Sequence, residues 1–340
     1  MQPPAGVADM RRLLLGFSTT IGISAVAELG IADHLAERPR TATELAQLTG
    51  TNEEFLRRLL RYLSSEGVFE EGDGDLFALT ERSHWLRSEI PGSIRARAIY
   101  TGSAMSWMAW GSMMECLKTG KSGFLAAFGQ DIFDHIREHP KSAATFNAFM
   151  AAQTAASGAA ILNAYSFAGV REMVDVGGGH GSLIAAVLRA HAGMRGILFD
   201  MPEVIATAGP ALEKAGVADR CRTVSGDFFS ASVPAGADLY ALKFILHDWP
   251  DDKCVAILRN CRKAMAPGGK VLIVEFVVPE GRGPHVSKFM DINMMVNTSG
   301  GRERTEQQFA QLLAAAGLRL QRIVPTAIEL NLLECVAADA

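Results

Sequence analysis

The stretch 174-VDVGGGHGSL-183 joins the apolar end of a strand to a glycine-rich turn and the start of a helix. Gly177, Gly179 and Gly181 allow a tight turn in which the backbone approaches a ligand closely at the helix N-terminus. The dinucleotide pattern GxGxxG, counted from Gly177, fails because Ser182 occupies its last position. The stretch predicts a nucleotide-type site at a strand–helix junction and leaves the ligand open.

From residue 172 onward, apolar strand candidates alternate with helical segments, which indicates a parallel sheet with crossover helices. The strand candidates are "EMVDVG", "RGILFD", "RCRTVSGDFF", "DLYALKFIL" and "GKVLIVEFVV", then, after a helix at 305–316, "LRLQRIVPT" and "IELNLLECVAA". The short link between the last two predicts an antiparallel hairpin. The expected fold is α/β, a doubly wound Rossmann-like sheet that ends in this hairpin.

Residues 41–80 predict a helix, a turn, a second helix and a hairpin, the pattern of a winged-helix-like unit. Thr41 or Thr43 can cap the first helix, and Thr51 or Asn52 the second. The buried face of the second helix is predicted from Phe55, Leu59 and Leu63. Its arginines could bind DNA or could be solvated beside acids: Arg57, Arg58 and Arg61.

The composition favours a soluble scaffold over a nucleic-acid or membrane protein. The chain has 340 residues, 49% hydrophobic and 21% charged, enough for two domains. A formal net charge of -4 gives no general attraction for nucleic acid or anionic membranes. Five scattered cysteines without the close spacing of a zinc site indicate reduced thiols and a cytoplasmic protein. No cluster of His, Cys and Asp in the sequence looks like a metal site, so no metal is expected.

An apolar stretch near the N-terminus imitates a signal peptide, but its helical pattern continues beyond "LLLGFSTTIGISAVA". Its apolar residues recur at steps of three and four and predict one buried helix face: Leu14, Phe17, Ile21, Ala25 and Leu29. No apolar run approaches the ~20 residues of a membrane span.

Acids also stand at the ends of the next two strands. Asp200 can accept hydrogen bonds from both ribose hydroxyls of a nucleotide. In "GDFF", Asp227 could accept from an adenine amino group while Phe228 packs on the ring, or Asp227 could be a simple turn residue.

With these motifs the chain resembles the S-adenosylmethionine-dependent O-methyltransferases of the plant caffeic-acid type and their bacterial antibiotic-pathway relatives. The matching motifs are "VDVGGGHG", "FDMPEVI", "GDFF", "LKFILHDWPDD", "APGGKVLIVE" and "GGRERTEQQF". The resemblance implies a winged-helix-like domain over 1–100 that forms a homodimer and does not bind DNA. It implies a methyltransferase domain over 101–340, with pocket-forming helices at 101–165 and the Rossmann-like core at 166–340.

The resemblance also implies roles for individual residues. The S-adenosylmethionine contacts would be Gly177, Asp200, Asp227, Phe228, Lys243 and Thr154. The catalytic residues would be His247 as general base, with Glu275 and Glu303 as the flanking carboxylates. A neutral histidine can take the proton of a phenol, and a carboxylate on the other ring nitrogen fixes the tautomer. His247 could otherwise be a loop histidine bonded to backbone, and Glu303 a helix-capping acid ahead of Thr305.

The acceptor pocket implied by the resemblance draws partly on the helices at 101–165, whose methionines and aromatics could equally fill a core. Its residues would be Phe133, Phe146, Met150, Phe244, Asp248, Asn293, Met294 and Thr298. Plant members have tryptophan where Phe244 stands and asparagine where Thr298 stands, so the acceptor stays open. The expected activity is methylation of a phenolic hydroxyl on an aromatic secondary metabolite. The alternatives are an N-methyltransferase, a drifted non-methylating enzyme, or a metabolite-sensing DNA-binding regulator.

Overall fold

A computed structural model of the protein describes residues 5–230 and 232–338. The predicted domain limits at residues 1 and 340 lie outside the described residues. Two compact units are present. The first contains the chain up to Met108 together with Ile136–Gln153, and the second contains Ala109–His135 and the chain from Thr154 onward. The prediction had one boundary at residue 100, whereas the first unit also takes in part of the helix that follows residue 140.

The helices, α1–α16 in chain order, are Ala5–Glu28, Ile31–His34, Ala42–Thr49, Glu53–Ser65, Glu81–His84, Arg95–Gly102, Ala104–Gly111, Met113–Thr119, Gly123–Phe128, Ile132–Glu138, Pro140–Ala164, Ser182–Ala190, Pro202–Lys214, Asp251–Ala264, Val286–Asn297 and Glu306–Ala315. The strands, β1–β10, are Arg40–Thr41, Phe69–Glu71, Leu76–Leu79, Glu172–Val176, Arg195–Asp200, Cys221–Ser225, Leu239–Lys243, Lys270–Glu275, Leu318–Pro325 and Asn331–Ala337.

The second unit is built on a seven-stranded sheet in the order β6-β5-β4-β7-β8-β10-β9. Strands β4 to β8 pair in parallel, and β10 runs antiparallel to both β8 and β9. The predicted doubly wound sheet with a terminal hairpin is confirmed. Its central strands are buried on both faces beneath flanking helices, which is why they read as continuous apolar runs. The carboxyl ends of β4, β5, β6, β7 and β8 therefore share one edge of the sheet.

Two strands end earlier than the sequence predicted, and both ends matter for the site. β6 stops at Ser225, because a side chain at Gly226 would lie 2.6 Å from the Phe199 ring and the chain turns there. β7 stops at Lys243, since Phe244 adopts a left-handed conformation with φ of 55°. "GDFF" and "FIL" are therefore loops at the edge of the sheet.

In the first unit, Thr41 caps α3 through a capping box and Asn52 caps α4. β2 and β3 form the expected antiparallel hairpin, which β1 joins. The predicted inner face of α4 is wrong at Phe55, which is 65% exposed. The buried residues of α4 are Leu56, Leu60 and Leu63, so the prediction is confirmed at Leu63, while Leu59 is only partly buried against the core.

The prediction for α1 is wrong over its first half. Leu14 is 67% exposed and Phe17 57% exposed, whereas Val26 and Ala27 near the C-terminal end are buried. The last turns of this long helix are the part that packs into the apolar core of the unit. Among the described helices, none is long and apolar enough to cross a membrane.

Candidate active site

The turn after β4 is made of glycines, in backbone conformations that other residues rarely adopt. Gly177, Gly179 and Gly181 all have positive φ, which glycine adopts without strain. A Cβ atom at Gly177 would lie 2.5 Å from Ile245 Cδ1, so a side chain there would displace the loop after β7. No atom stands within 4 Å of where a Cβ of Gly179 would be. The turn thus leaves backbone facing open space at the edge of the sheet.

Asp200, at the end of β5, is tied to this turn. Its carboxylate accepts hydrogen bonds from the backbone N–H of Gly179 at 2.8 Å and of Met201 at 2.7 Å. Burial raises its pKa, although these two bonds oppose the shift. The neighbouring Asp175 is fully buried and accepts from Ile184 N–H at 3.2 Å, and burial raises its pKa to about 7. Of these two acids, Asp200 is the one that is only partly buried.

Asp227 and Phe228 lie in the loop after β6. Asp227 Oδ1 accepts from Phe229 N–H at 2.8 Å, so it makes the turn bond that the sequence left as an alternative. The Phe228 ring lies 3.5 Å from where a Cβ of Gly177 would stand, which places it beside the glycine turn. Trp249 packs edge-on against Phe228 and Phe229 from the loop after β7.

Lys243 and Thr154, predicted from different parts of the chain, are in contact. Lys243 Nζ donates to Thr154 Oγ1 at 3.0 Å and lies 4.2 Å from the centre of the Phe244 ring. Burial lowers the pKa of Lys243 to about 8, although Asp175 opposes the shift.

His247 lies in a 3-10 turn, Leu246–Asp248, directly after β7, and its side chain is buried. Its Nδ1 is 2.9 Å from Glu303 Oε1, and its ring stacks on Phe244 with centroids 5.2 Å apart. Helix α16 is capped by Thr305, so Glu303 is not the capping acid. A carboxylate on Nδ1 favours the tautomer that leaves Nε2 free to accept a proton.

Glu275, at the end of β8, is placed differently from the prediction. It was expected to orient the imidazole, but Oε1 accepts from the backbone N–H of His247 at 3.1 Å. It therefore holds the loop and not the ring. Glu275 is completely buried, which raises its pKa to about 7, and its Oε2 has no hydrogen-bond partner, as is also true of Glu303 Oε2.

Three carboxyl groups therefore surround one imidazole. Asp248 Oδ1 lies 3.7 Å from His247 Nε2, on the side of the ring opposite Glu303. Burial alone would lower the pKa of His247, but Asp248, Glu303 and Glu275 together raise it to about 9. Burial in turn raises the pKa of Asp248 to about 6. The carboxylates around it make His247 a stronger base than an ordinary histidine.

The predicted acceptor residues fall into two groups. Phe244 is buried against His247, and Phe133 stacks on Trp249 with centroids 5.9 Å apart. On α15, the Asn293 side chain accepts from Asn297 at 3.0 Å. Met294 and Thr298, the residue that follows the last turn of the same helix, are both buried, and Thr298 Oγ1 donates to the Met294 carbonyl at 2.8 Å. Two predicted residues belong to the first unit: Phe146 and Met150.

Two residues beside His247 were not among the predicted site residues. A Cβ at Gly301 would lie 2.4 Å from the His247 carbonyl oxygen, so glycine is required there. Arg304 is completely buried and donates to the carbonyls of Leu246 and Trp249. Both stand in the quoted motif "GGRERTEQQF", but nothing in the spacing indicates that this arginine is buried. Among residues 5–230 and 232–338, no cluster of His, Cys, Asp or Glu could hold a metal ion.

The strand order and the antiparallel β10 place the second unit in the class of Rossmann-like methyltransferases. A family model for the O-methyltransferase domain matches residues 110–319, and one for the O-methyltransferase dimerisation domain matches residues 11–89. The chain belongs to the S-adenosylmethionine-dependent O-methyltransferase family.

Relatives agree with this assignment over nearly the whole chain. The phenazine O-methyltransferase PhzM of Lysobacter antibioticus is 41% identical over 334 residues, 97% of each protein. The crystal structure of LaPhzM has a TM-score of 0.93 at 40% identity and covers 98% of this chain and 100% of that one. NcsB1 from neocarzinostatin biosynthesis, solved with S-adenosylmethionine and 2-hydroxy-5-methyl naphthoic acid, has a TM-score of 0.82 at 31% identity, covering 94% and 96%. The family also includes an N-methylating relative, the 8-amino-8-demethylriboflavin N,N-dimethyltransferase of Streptomyces davaonensis, 32% identical over 92% of this chain and 90% of that protein.

Proposed function

We propose that this protein transfers the methyl group of S-adenosylmethionine to a phenolic hydroxyl of an aromatic secondary metabolite, with His247 as the general base. The observation that carries the proposal is the buried pair of His247 and Glu303, in which Glu303 Oε1 lies 2.9 Å from Nδ1 while Nε2 lies 3.7 Å from Asp248 Oδ1, beyond hydrogen-bond distance. A phenol titrates near 10 and is largely protonated at neutral pH, so a base that removes its proton raises the reactivity of the oxygen.

The residues at the sheet edge fit the cofactor. Gly177 and Gly179 leave room for close approach, and Asp200 is the carboxylate that would accept from the ribose hydroxyls. Phe228, beside Gly177, would pack on the adenine, and Asp227 would accept from its amino group. Thr154 and Lys243 would hold the opposite end of the molecule. When bound, S-adenosylmethionine supplies an electrophilic methyl group.

In the proposed reaction, the side chains of the protein remove one proton from the acceptor. Nε2 of His247 accepts the phenolic proton, while Nδ1–H keeps its bond to Glu303, whose charge stabilises the imidazolium. Glu275 holds the backbone of the loop in place. The acceptor ring would contact residues of the second unit: Phe133, Phe244, Asn293, Met294, Thr298 and Asp248.

N-methylation is the second candidate, and the riboflavin-type relative is the observation that favours it. An amine nitrogen already carries a lone pair, so its methylation does not need a base hydrogen bonded in this way. DNA binding is not favoured, because Arg57 pairs with Glu53 at 2.5 Å and with Asp75 at 2.8 Å, and Arg61 pairs with Glu71.

We further propose that the first 100 residues form a homodimer, with the exposed apolar half of α1 buried by a second copy. The dimerisation-domain match supports this. The cytoplasmic location expected from the sequence stays a prediction.

The test uses matched acceptors. Hydroxyl- and amino-substituted versions of the same aromatic scaffolds are incubated with methyl-labelled S-adenosylmethionine, and the products are identified by mass spectrometry. The proposal expects O-methylated products from the hydroxyl series. Methylation confined to the amino series would establish the second candidate instead.

A further inference from the structure

Arg304 is a fully buried cation whose hydrogen bonds converge on the loop that carries His247. Nη1 donates to the Leu246 carbonyl at 2.9 Å, and Nη2 donates to the Trp249 carbonyl at 2.8 Å. These two carbonyls stand on either side of His247 in the chain. Asp251 accepts from Nε at 3.1 Å and from Nη2 at 2.8 Å, so the guanidinium is held in one orientation.

The backbone around Arg304 reaches the rest of the catalytic cluster. Arg302 N–H donates to the His247 carbonyl at 2.8 Å, and the Arg304 carbonyl accepts from Val278 N–H at 2.9 Å, just beyond the strand that ends in Glu275. Glu303, the partner of the imidazole, precedes Arg304 directly. One short segment thus connects the loop after β7, the end of β8 and the Nδ1 acceptor.

Burying an arginine is costly, and an apolar side chain of similar volume often stabilises a core as well or better. The geometry offers another use for the charge. A guanidinium spreads five donors over a rigid plane, and in Arg304 three different nitrogens reach two carbonyls and a carboxylate. An ammonium offers three donors from a single nitrogen, and an apolar side chain offers none.

We infer that Arg304 is a positioning residue for the methyl-transfer reaction: its guanidinium fixes the loop 246–249 so that the His247 ring meets Glu303. The inference rests on the proposed function, in which His247 is the general base. Arg304 lies beneath the loop and acts through the carbonyls of Leu246 and Trp249.

The experiment compares wild-type protein with Arg304→Lys, which keeps the positive charge near Asp251 but lacks the planar guanidinium that donates to both carbonyls. We expect kcat to fall by roughly 10- to 100-fold, since loss of ring positioning removes part of the contribution of a general base. The affinity for S-adenosylmethionine and the KM for the acceptor should change by less than about threefold. The rising limb of the kcat–pH profile should also move to lower pH. A weaker hydrogen bond between Nδ1 and Glu303 lowers the pKa of His247, because Asp248 and Glu275 are then the main carboxylates that stabilise the imidazolium.

Arg220→Lys is the matched control. Arg220 also clamps backbone carbonyls, those of Leu188, His191 and Met194, but at the opposite end of the sheet. It should lower the melting temperature with kcat and the pH profile unchanged. A folded Arg304→Lys protein with normal kcat and a normal pH profile would overturn the inference.

If circular dichroism shows that Arg304→Lys does not fold, Asp251→Asn takes its place, because Asp251 is partly exposed and accepts from the guanidinium of Arg304 as well as from that of Arg302. The same changes are expected, with kcat reduced roughly 3- to 10-fold, and an unchanged kcat would overturn the inference. Failure of the proposed function looks different: the wild-type protein would transfer no methyl group to any hydroxyl acceptor.

Discussion

Glu303 and Glu275 are two buried glutamates with different partners, and their amide variants should separate ring orientation from loop anchoring. Glu303 bonds the imidazole Nδ1, whereas Glu275 bonds the backbone N–H of His247. In Glu303→Gln the charge opposite the imidazolium is lost, and the amide NH₂ can face Nδ1 in place of an oxygen. Because hydrogen bonds to charged groups contribute about 1.5–3 kcal/mol and about 1.4 kcal/mol is a tenfold change in rate, the expected loss in kcat is roughly 10- to 150-fold.

In Glu275→Gln the amide oxygen can still accept from the His247 N–H, so only the added strength of the charge is lost. That difference is about 1 kcal/mol, or roughly fivefold in kcat. The rates are compared on the alkaline plateau of the pH profile, because removing either carboxylate also lowers the pKa of His247. The assay is methyl transfer under saturating substrate, with calorimetry to show unchanged cofactor affinity. An equal or larger loss in Glu275→Gln would refute the assignment of Glu303 as the residue that orients the ring.

Three further predictions concern the cofactor, the pH dependence and the assembly. Calorimetry should show S-adenosylmethionine binding at micromolar scale and no NAD binding, and Asp200→Ala should weaken binding by at least about tenfold through loss of the ribose contacts. Equal heats for the two cofactors would count against the site. The reaction needs unprotonated His247, so kcat/KM should rise with pH as this residue loses its proton. The pKa of that rise should lie above the ordinary histidine value of about 6.5, toward the value of about 9 that the surrounding acids impose. A rise with a pKa below 6 would contradict this electrostatic account. Light scattering should show a dimer that Leu14→Glu, Phe17→Glu dissociates, and a monomeric wild type at micromolar concentration would contradict the assembly.

The sequence predicted the sheet well because buried parallel strands leave an unambiguous apolar pattern, and the glycine turn and acids mark its edge. Lys243 and Thr154 were each expected from the resemblance to contact the cofactor, but the hydrogen bond between them was not predicted. What the sequence could not supply were contacts between distant segments. The partner of the His247 ring is Glu303 and not Glu275, and the choice depends on how the loop before α16 folds back.

The outer face of α1 was misread for a similar reason. Periodic apolar residues predict a buried stripe, but they do not say whether the same chain covers it. Leu14 and Phe17 remain exposed within one chain, whereas the equally apolar end of α1 is buried. A buried arginine such as Arg304 leaves no pattern at all, because arginines in sequence are most often solvated.

The central claim, that His247 removes the acceptor's proton, is tested most directly by the turnover of His247→Ala on a phenolic substrate of the wild-type protein. Loss of a general base typically costs ~10²–10⁴ in rate, and the residues proposed to contact adenosine lie at the ends of other strands. We therefore expect a loss of that size in kcat, with S-adenosylmethionine affinity nearly unchanged. A variant that kept near-normal turnover at neutral pH would show that transfer depends on proximity alone and that the histidine is only part of the pocket wall.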